Sequence, residues 1–267
     1  MYWQRRKIGK EIELCYQSLF NSLPMSPNNR TIAILGMHRS GTSALMGSLE
    51  QAGVYIGETN QHANDNIRGN RESLEILTLH NDLLERRGGS WDKPIRNMQW
   101  DPIHRALQTT IIKTFEDQPI WGFKDPRTLL TTNMWLKAIP TLELVGIFRH
   151  PFLVANSLMT RNNVSADQAL DLWYCYNINL QWIARNGNQF PILEFSTDPA
   201  DFKTQLQQLI LMLDLDSRQT DFFDATLRKQ TIPDLHQQPM AQRCLTLYES
   251  LKSLGRNSLP AIQSKIA

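Results

Sequence analysis

Three things are scarce in this 267-residue chain. Cysteine occurs only at Cys15, Cys175 and Cys244, and so odd and widely spaced a set supports neither a closed disulfide framework nor a metal-ligand cluster. A reducing, cytoplasmic setting is the simpler expectation. Excess charge is also lacking: 28 Lys plus Arg against 26 Asp plus Glu leave +2, too little for bulk attraction to nucleic acid or to an anionic membrane. Any anion must then be held by locally placed groups. Long apolar runs are missing as well, since the most apolar windows, Thr31 to Met37 and Leu142 to Phe148, reach about a third of the roughly 20 residues that span a bilayer. The basic, aromatic start is broken up by Gly9, Lys10, Glu11 and Glu13 and does not read as a signal peptide. There is no internal repeat and no low-complexity tract. What remains, with 41% hydrophobic and 20% charged residues, is a soluble chain able to bury one sizeable core.

The apolar patterning predicts an α/β fold: a P-loop-like parallel sheet with helices on both faces, in a single domain. Thr31-Ile32-Ala33-Ile34-Leu35 runs as a buried strand into Gly36, and after Gly41 a helical stripe opens with Ala44, Leu45, Leu49 and Ala52. Further strands are expected at Ile120 to Phe123, Leu142 to Phe148 and Pro191 to Phe195, with helices near 128–138, 151–161, 165–186, 199–213 and 240–254. Strands alternating with helices, and apolar nearly throughout, suit a sheet covered on both faces. Pro151 fits a first helical position, and Ser165 with Gln168 fits a capping box. Residues 1–30 read as a helical arm, 31–215 as the core, and 216–267 as a C-terminal helical extension packed on the core, with no recognisable chemistry of its own. The polar, turn-rich segment 57–72 is expected over the carboxyl edge of the sheet, where ligands of such folds bind.

Gly36-Met37-His38-Arg39-Ser40-Gly41-Thr42-Ser43 has two glycines five apart, then hydroxyl residues, between a strand and a helix. That spacing suits a backbone cradle for phosphate, although a tight strand-to-helix turn would use the same glycines. The Lys of a nucleotide triphosphatase is replaced by Thr42, and Arg39 puts a cation inside the loop. The strand ending at Phe148 is followed by Arg149, where a Mg²⁺-dependent phosphoryl-transfer protein would carry an acid. Ser157 and Arg161 lie four apart on the helix opened by Pro151, so they share a face. With Arg149 at the positive end of that helix, they can surround one phosphate.

These residues, with Lys124-Asp125-Pro126-Arg127 and the Phe148-Arg149-His150-Pro151 step to Asn156-Ser157 and Arg161, resemble the sulfotransferase superfamily over about residues 31–213. The likeness is greatest to its bacterial and tyrosylprotein-type members. It implies that the loop of Gly36, His38, Arg39, Ser40, Gly41, Thr42 and Ser43 holds the phosphosulfate of 3′-phosphoadenosine 5′-phosphosulfate. Arg149 and Ser157 would hold the donor's 3′-phosphate, and Arg161 would add a second basic contact. Arg39 would steady the bridging oxygen as the sulfuryl group departs, Lys124 would bind the phosphosulfate, and no metal is implied. Glu72, read as beginning a helix Glu72 to Arg86, is the expected base. His80 and Glu75 on the same helix are rivals, and His38 would shape the loop or touch the acceptor.

Trp173, Tyr174 and Tyr176 read as core rather than as an adenine platform. The acceptor, a small molecule, glycan, lipid or peptide and not a nucleic acid, would lie over residues 57–72 and the Trp91 to Trp100 segment. The competing functions are a P-loop nucleotide or small-molecule kinase, and a nucleotide-binding module without turnover. Two features of the family are missing: Leu193-Glu194-Phe195-Ser196 replaces its aromatic-acidic pair, and no glycine-rich basic segment occurs near the C-terminus.

Overall fold

The computed structural model describes residues 29–59, 68–95, 98, 100–187, 189–218, 221–227 and 231–259. Four strands form one parallel sheet: β1 (Arg30–Leu35), β2 (Ile120–Lys124), β3 (Glu143–Phe148) and β4 (Ile192–Glu194), in the spatial order β2-β1-β3-β4. Eight described helices surround it: α1 (Thr42–Gln51), α2 (Leu74–Glu85), α3 (Pro102–Lys113), α4 (Thr128–Ala138), α5 (Pro151–Asn162), α6 (Ala166–Asn186), α7 (Pro199–Met212) and α8 (Ala241–Ser258). None of the described helices is long and apolar enough to cross a membrane.

Strand periodicity assigns each side chain its layer. Ile32, Ile34, Val145, Ile147 and Leu193 point to one face and pack under α1 and α7. The other face is divided in two. Ala33, Trp121 and Phe123 meet α2, α3 and α4 near the β2 edge, whereas Leu35, Phe148 and Ile192 meet α5, α6 and α8 toward β4. Burial on both faces explains why these strands read as continuous apolar runs. The register sets Ile34 beside both Lys124 and Val145, so β1, β2 and β3 end together along one carboxyl edge.

Two expectations need correction. Helix α2 begins at Leu74, with Ser73 as its N-cap and the Ser73 hydroxyl accepting from the Ile76 amide at 3.4 Å. Glu72 therefore lies before the helix and not in its first turn. Helix α3 was not anticipated, because its buried face carries His104 and Gln108 beside Ile111 and Ile112 while Ile103 and Leu107 are exposed. An apolar stripe could not reveal it, although Asp101-Pro102 was a readable start. Of the arm expected over 1–30, residues 1–28 lie outside the described residues and Arg30 opens β1. The box at the start of α6 forms, with Ser165 and Gln168 bonded reciprocally.

Candidate functional site

A cleft of about 620 Å³ opens at the carboxyl edge, centred on the turn between β1 and α1. The turn is drawn tightly onto the sheet. A Cβ on Gly36 would come within 2.6 Å of the Ile147 and Thr42 methyl groups. Gly41 adopts φ 88° and a Cβ there would meet the Phe195 ring at 2.4 Å, so glycine is required twice over. Arg39 is also left-handed, at φ 65°, a conformation that non-glycine residues adopt rarely and often at functional sites. The chain then enters α1 at Thr42, and the first-turn amides of a helix lack intrahelical acceptors. His38, Arg39, Gly41, Thr42 and Ser43 line the cleft. Gly36 lies packed beneath the turn, and the fully buried Ser40 has a hydroxyl with no partner.

On the β3 side the cations gather around the loop. Arg39 Nε donates to Ser157 Oγ at 2.7 Å, and Arg149 Nη1 donates to the Arg39 carbonyl at 3.3 Å. The Arg149 guanidinium also stands 5.5 Å over the Phe195 ring. Its backbone is held from behind, since Trp173 Nε1 donates to the Arg149 carbonyl at 3.0 Å. His150 starts α5 by accepting from the Phe152 amide at 3.2 Å. It does so as a neutral ring: burial foremost, then Lys252, pushes its pKa down to about 4. One turn beyond Ser157, Arg161 lines the same cleft. Arg39, Arg149, Ser157 and Arg161 are thus one neighbourhood.

On the β2 side the cations are matched by carboxylates. Lys124, at the end of its strand and 2% exposed, donates to Glu72 Oε1 at 2.7 Å and to Ser43 Oγ at 3.4 Å. Ser43 in turn donates to the Asn70 carbonyl at 3.0 Å, tying the loop to the segment that carries Glu72. Arg127 Nη1 donates to both oxygens of Asp125, at 3.1 and 3.2 Å. Burial would raise the Asp125 carboxyl, but His80 and Arg127 outweigh it and hold the group well below the usual carboxylate range.

The rival bases do not meet this site. His80 is fully buried, its Nε2 accepts from Trp135 Nε1 at 3.0 Å, and it is not among the lining residues. Glu75 is exposed on α2, away from the cleft. His38 stands edge-on to Trp91 at 5.0 Å and to Tyr176 at 6.0 Å. Burial foremost, then the charge of Arg127, pushes its pKa down to about 3, so it is neutral near pH 7.

Several lining residues escaped the sequence. Phe222, Phe223 and Asp224 belong to the stretch read as carrying no chemistry, yet they line the cleft with Arg68 and Phe195. Arg68 pairs with Asp224 at 3.5 Å, and Arg68 and Arg71 both stand over the Phe222 ring. Gly47 was the available signal: it is a glycine inside a helix, and a Cβ there would meet Phe222 at 2.3 Å. Trp173 and Tyr176 are core residues as expected. Of the 57–72 segment, Arg68, Asn70 and Glu72 line the cleft, and 60–67 lie outside the described residues. Among the described residues no group of three His, Cys, Asp or Glu side chains is arranged to hold a metal ion.

No protein-family model and no curated protein sequence matches the chain. Among solved structures, it is similar to the sulfotransferase domain of the Synechococcus PCC 7002 olefin synthase, with 14% identity over 86% of this chain and 94% of that one, and a TM-score of 0.45. A sulfotransferase from Mycobacterium tuberculosis H37Rv shares 12% identity over 90% of this chain and 81% of its own, with a TM-score of 0.43. Dephospho-CoA kinase from Campylobacter jejuni shares 9% identity over 69% and 97%, with a TM-score of 0.36. Likenesses at this level do not choose among activities.

Proposed function

We propose that the protein is a sulfotransferase that moves a sulfuryl group from 3′-phosphoadenosine 5′-phosphosulfate to an acceptor hydroxyl or amine. The observation that carries the reading is the junction of Arg39 with both Ser157 and Arg149. It joins the anion cradle of the loop to a second anion-binding cluster within one cleft. A carrier with phosphates at two positions needs two such places, and the cleft volume lies within the range of small-molecule sites.

The donor fits the side chains present. The loop amides with Thr42 and Ser43 would hold its 5′ end, and Arg149, Ser157 and Arg161 its 3′-phosphate. The donor supplies an activated sulfuryl group. In the transfer, the acceptor oxygen or nitrogen forms a bond to sulfur, the bond from sulfur to the phosphate oxygen breaks, and the electron pair leaves with the phosphate. Arg39 and Lys124 then stabilise charge growing on the leaving oxygen. Glu72, beside Lys124, takes the acceptor proton. Sulfate carries less charge than a phosphoryl group, so side-chain cations suffice for this role. The kinship to bacterial and tyrosylprotein-type sulfotransferases belongs to the same proposal.

The kinase reading calls for Lys after the second loop glycine and an acid after β3, where the chain has Thr42 and Arg149. The test is incubation with ³⁵S-labelled donor and panels of glycans, lipids, peptides and small alcohols. Transfer of label to one panel is expected. Binding of ATP with Mg²⁺, without affinity for 3′-phosphoadenosine 5′-phosphate, would overturn the assignment.

A further inference from the structure

The cleft holds two buried polar atoms that find no hydrogen-bond partner among the described residues. Arg127 is 7% exposed and spends Nη1 on Asp125, but its Nε has no hydrogen-bond partner. His38 Nε2 is likewise buried and unpartnered. Both residues line the cleft, as does Trp91, whose ring lies 5.0 Å from that of His38. Arg127 is also the charged group that acts most strongly on His38. A buried donor left unmade costs about 1–3 kcal/mol, so an orphan pair in a cleft marks where a ligand oxygen completes the site.

The charges that act most on His38 are Arg127, Asp125 and Lys124, with Arg161 the weakest of those named, and the first three stand in ion pairs. Lys124 is paired with Glu72 at 2.7 Å and Arg127 with Asp125 at 3.1 Å. A carboxylate entering here would face Glu72 and Asp125, and an ammonium would face Lys124 and Arg127, each without a counter-charge of its own. A hydroxyl carries no such penalty, and it both donates and accepts. Three polar points line the cleft, Glu72 for the reacting hydroxyl, Arg127 Nε and His38 Nε2, and several hydroxyls on one frame would match them. Trp91 supplies an apolar surface for the C–H side of that frame.

We infer that the acceptor is an uncharged sugar-type polyol, with its reacting hydroxyl at Glu72 and neighbouring hydroxyls at Arg127 Nε and His38 Nε2 beside Trp91. This rests on the sulfuryl-transfer reading and names its acceptor class. Arg127 and His38 are then specificity-determining residues.

The test titrates the full chain, saturated with 3′-phosphoadenosine 5′-phosphate, calorimetrically with methyl glucoside, galactoside and mannoside and with the matching uronic acids and amino sugars. The best neutral glycoside should bind at least about tenfold more tightly than its charged counterparts, the effect of an unbalanced buried charge. Arg127→Lys keeps a cation toward Asp125 but has no Nε donor, and should weaken glycoside binding about fivefold or more while nucleotide affinity stays within about twofold. His38→Phe keeps the ring packing and should weaken glycoside binding in the same direction. A charged sugar that binds as well as the neutral one, or no binding by any sugar, would overturn the inference. Loss of nucleotide binding with the neutral-sugar preference intact would instead sink the donor reading alone.

Discussion

The two flanks of the glycine turn are built from the same kinds of cation but are wired differently. On the β2 flank Lys124 and Arg127 are each bonded to a carboxylate. On the β3 flank Arg39 and Arg149 bond a hydroxyl and a carbonyl oxygen, and Arg149 also faces an aromatic ring. In the proposed reading, the β3 flank takes the donor's phosphate and the β2 flank the acceptor and its proton. The sheet order imposes this division, because β2 and β3 lie on opposite sides of β1.

The largest expected effect breaks the β2 flank alone. Glu72→Gln should lower kcat by about 10²–10⁴-fold, the usual contribution of a general base. Gln can keep a hydrogen bond to Lys124, so affinity for 3′-phosphoadenosine 5′-phosphate should hold, and calorimetry beside single-turnover rates would check both. Next comes the other flank: Arg149→Ala should weaken nucleotide binding by about 1.5–3 kcal/mol, roughly 10- to 150-fold, with the melting temperature little changed. Unchanged affinity would remove Arg149 from the donor site. Ser157→Ala, which deletes one neutral acceptor beside Arg39, should cost about 0.5–1.5 kcal/mol in the same titration.

The seam between the flanks can be read by pH. The His38 pKa is lowered from 6.5 to about 3, so between those values the unfolded chain binds a proton that the folded chain does not. Stability from this group is full above the unfolded value and falls as pH drops through that window, by up to about 1.4 kcal/mol per pH unit. Thermal melts of wild type and His38→Phe across pH 4 to 7 should diverge, the variant being the less acid-sensitive. Parallel curves would show that His38 is not held neutral.

Much of the frame was legible in order along the chain. The β1 run, the glycine turn and the stripe of α1 are local patterns, and Arg149-His150-Pro151 announces a strand end and a helix start within three residues. Lys124 and Ser157 could be placed on the ligand edge for the same reason. Helix α3 was hidden because its inner face holds His104 and Gln108, and Glu72 was set inside a helix because its segment differs from a first turn only by the cap at Ser73.

By itself, then, the sequence determined the four strands and most of the helices, α3 excepted, and that cations stand at or just after the ends of β1, β2 and β3, because hydrogen bonding and apolar periodicity act over a few residues. Only the tertiary structure decided which charge meets which. The pairing of Lys124 with Glu72 closes a separation of 52 residues, and that of Arg39 with Ser157 one of 118. Parallel register and the packing of α1 and α5 on the sheet bring them together. Local propensity carries no information about contacts that only those long-range packings create.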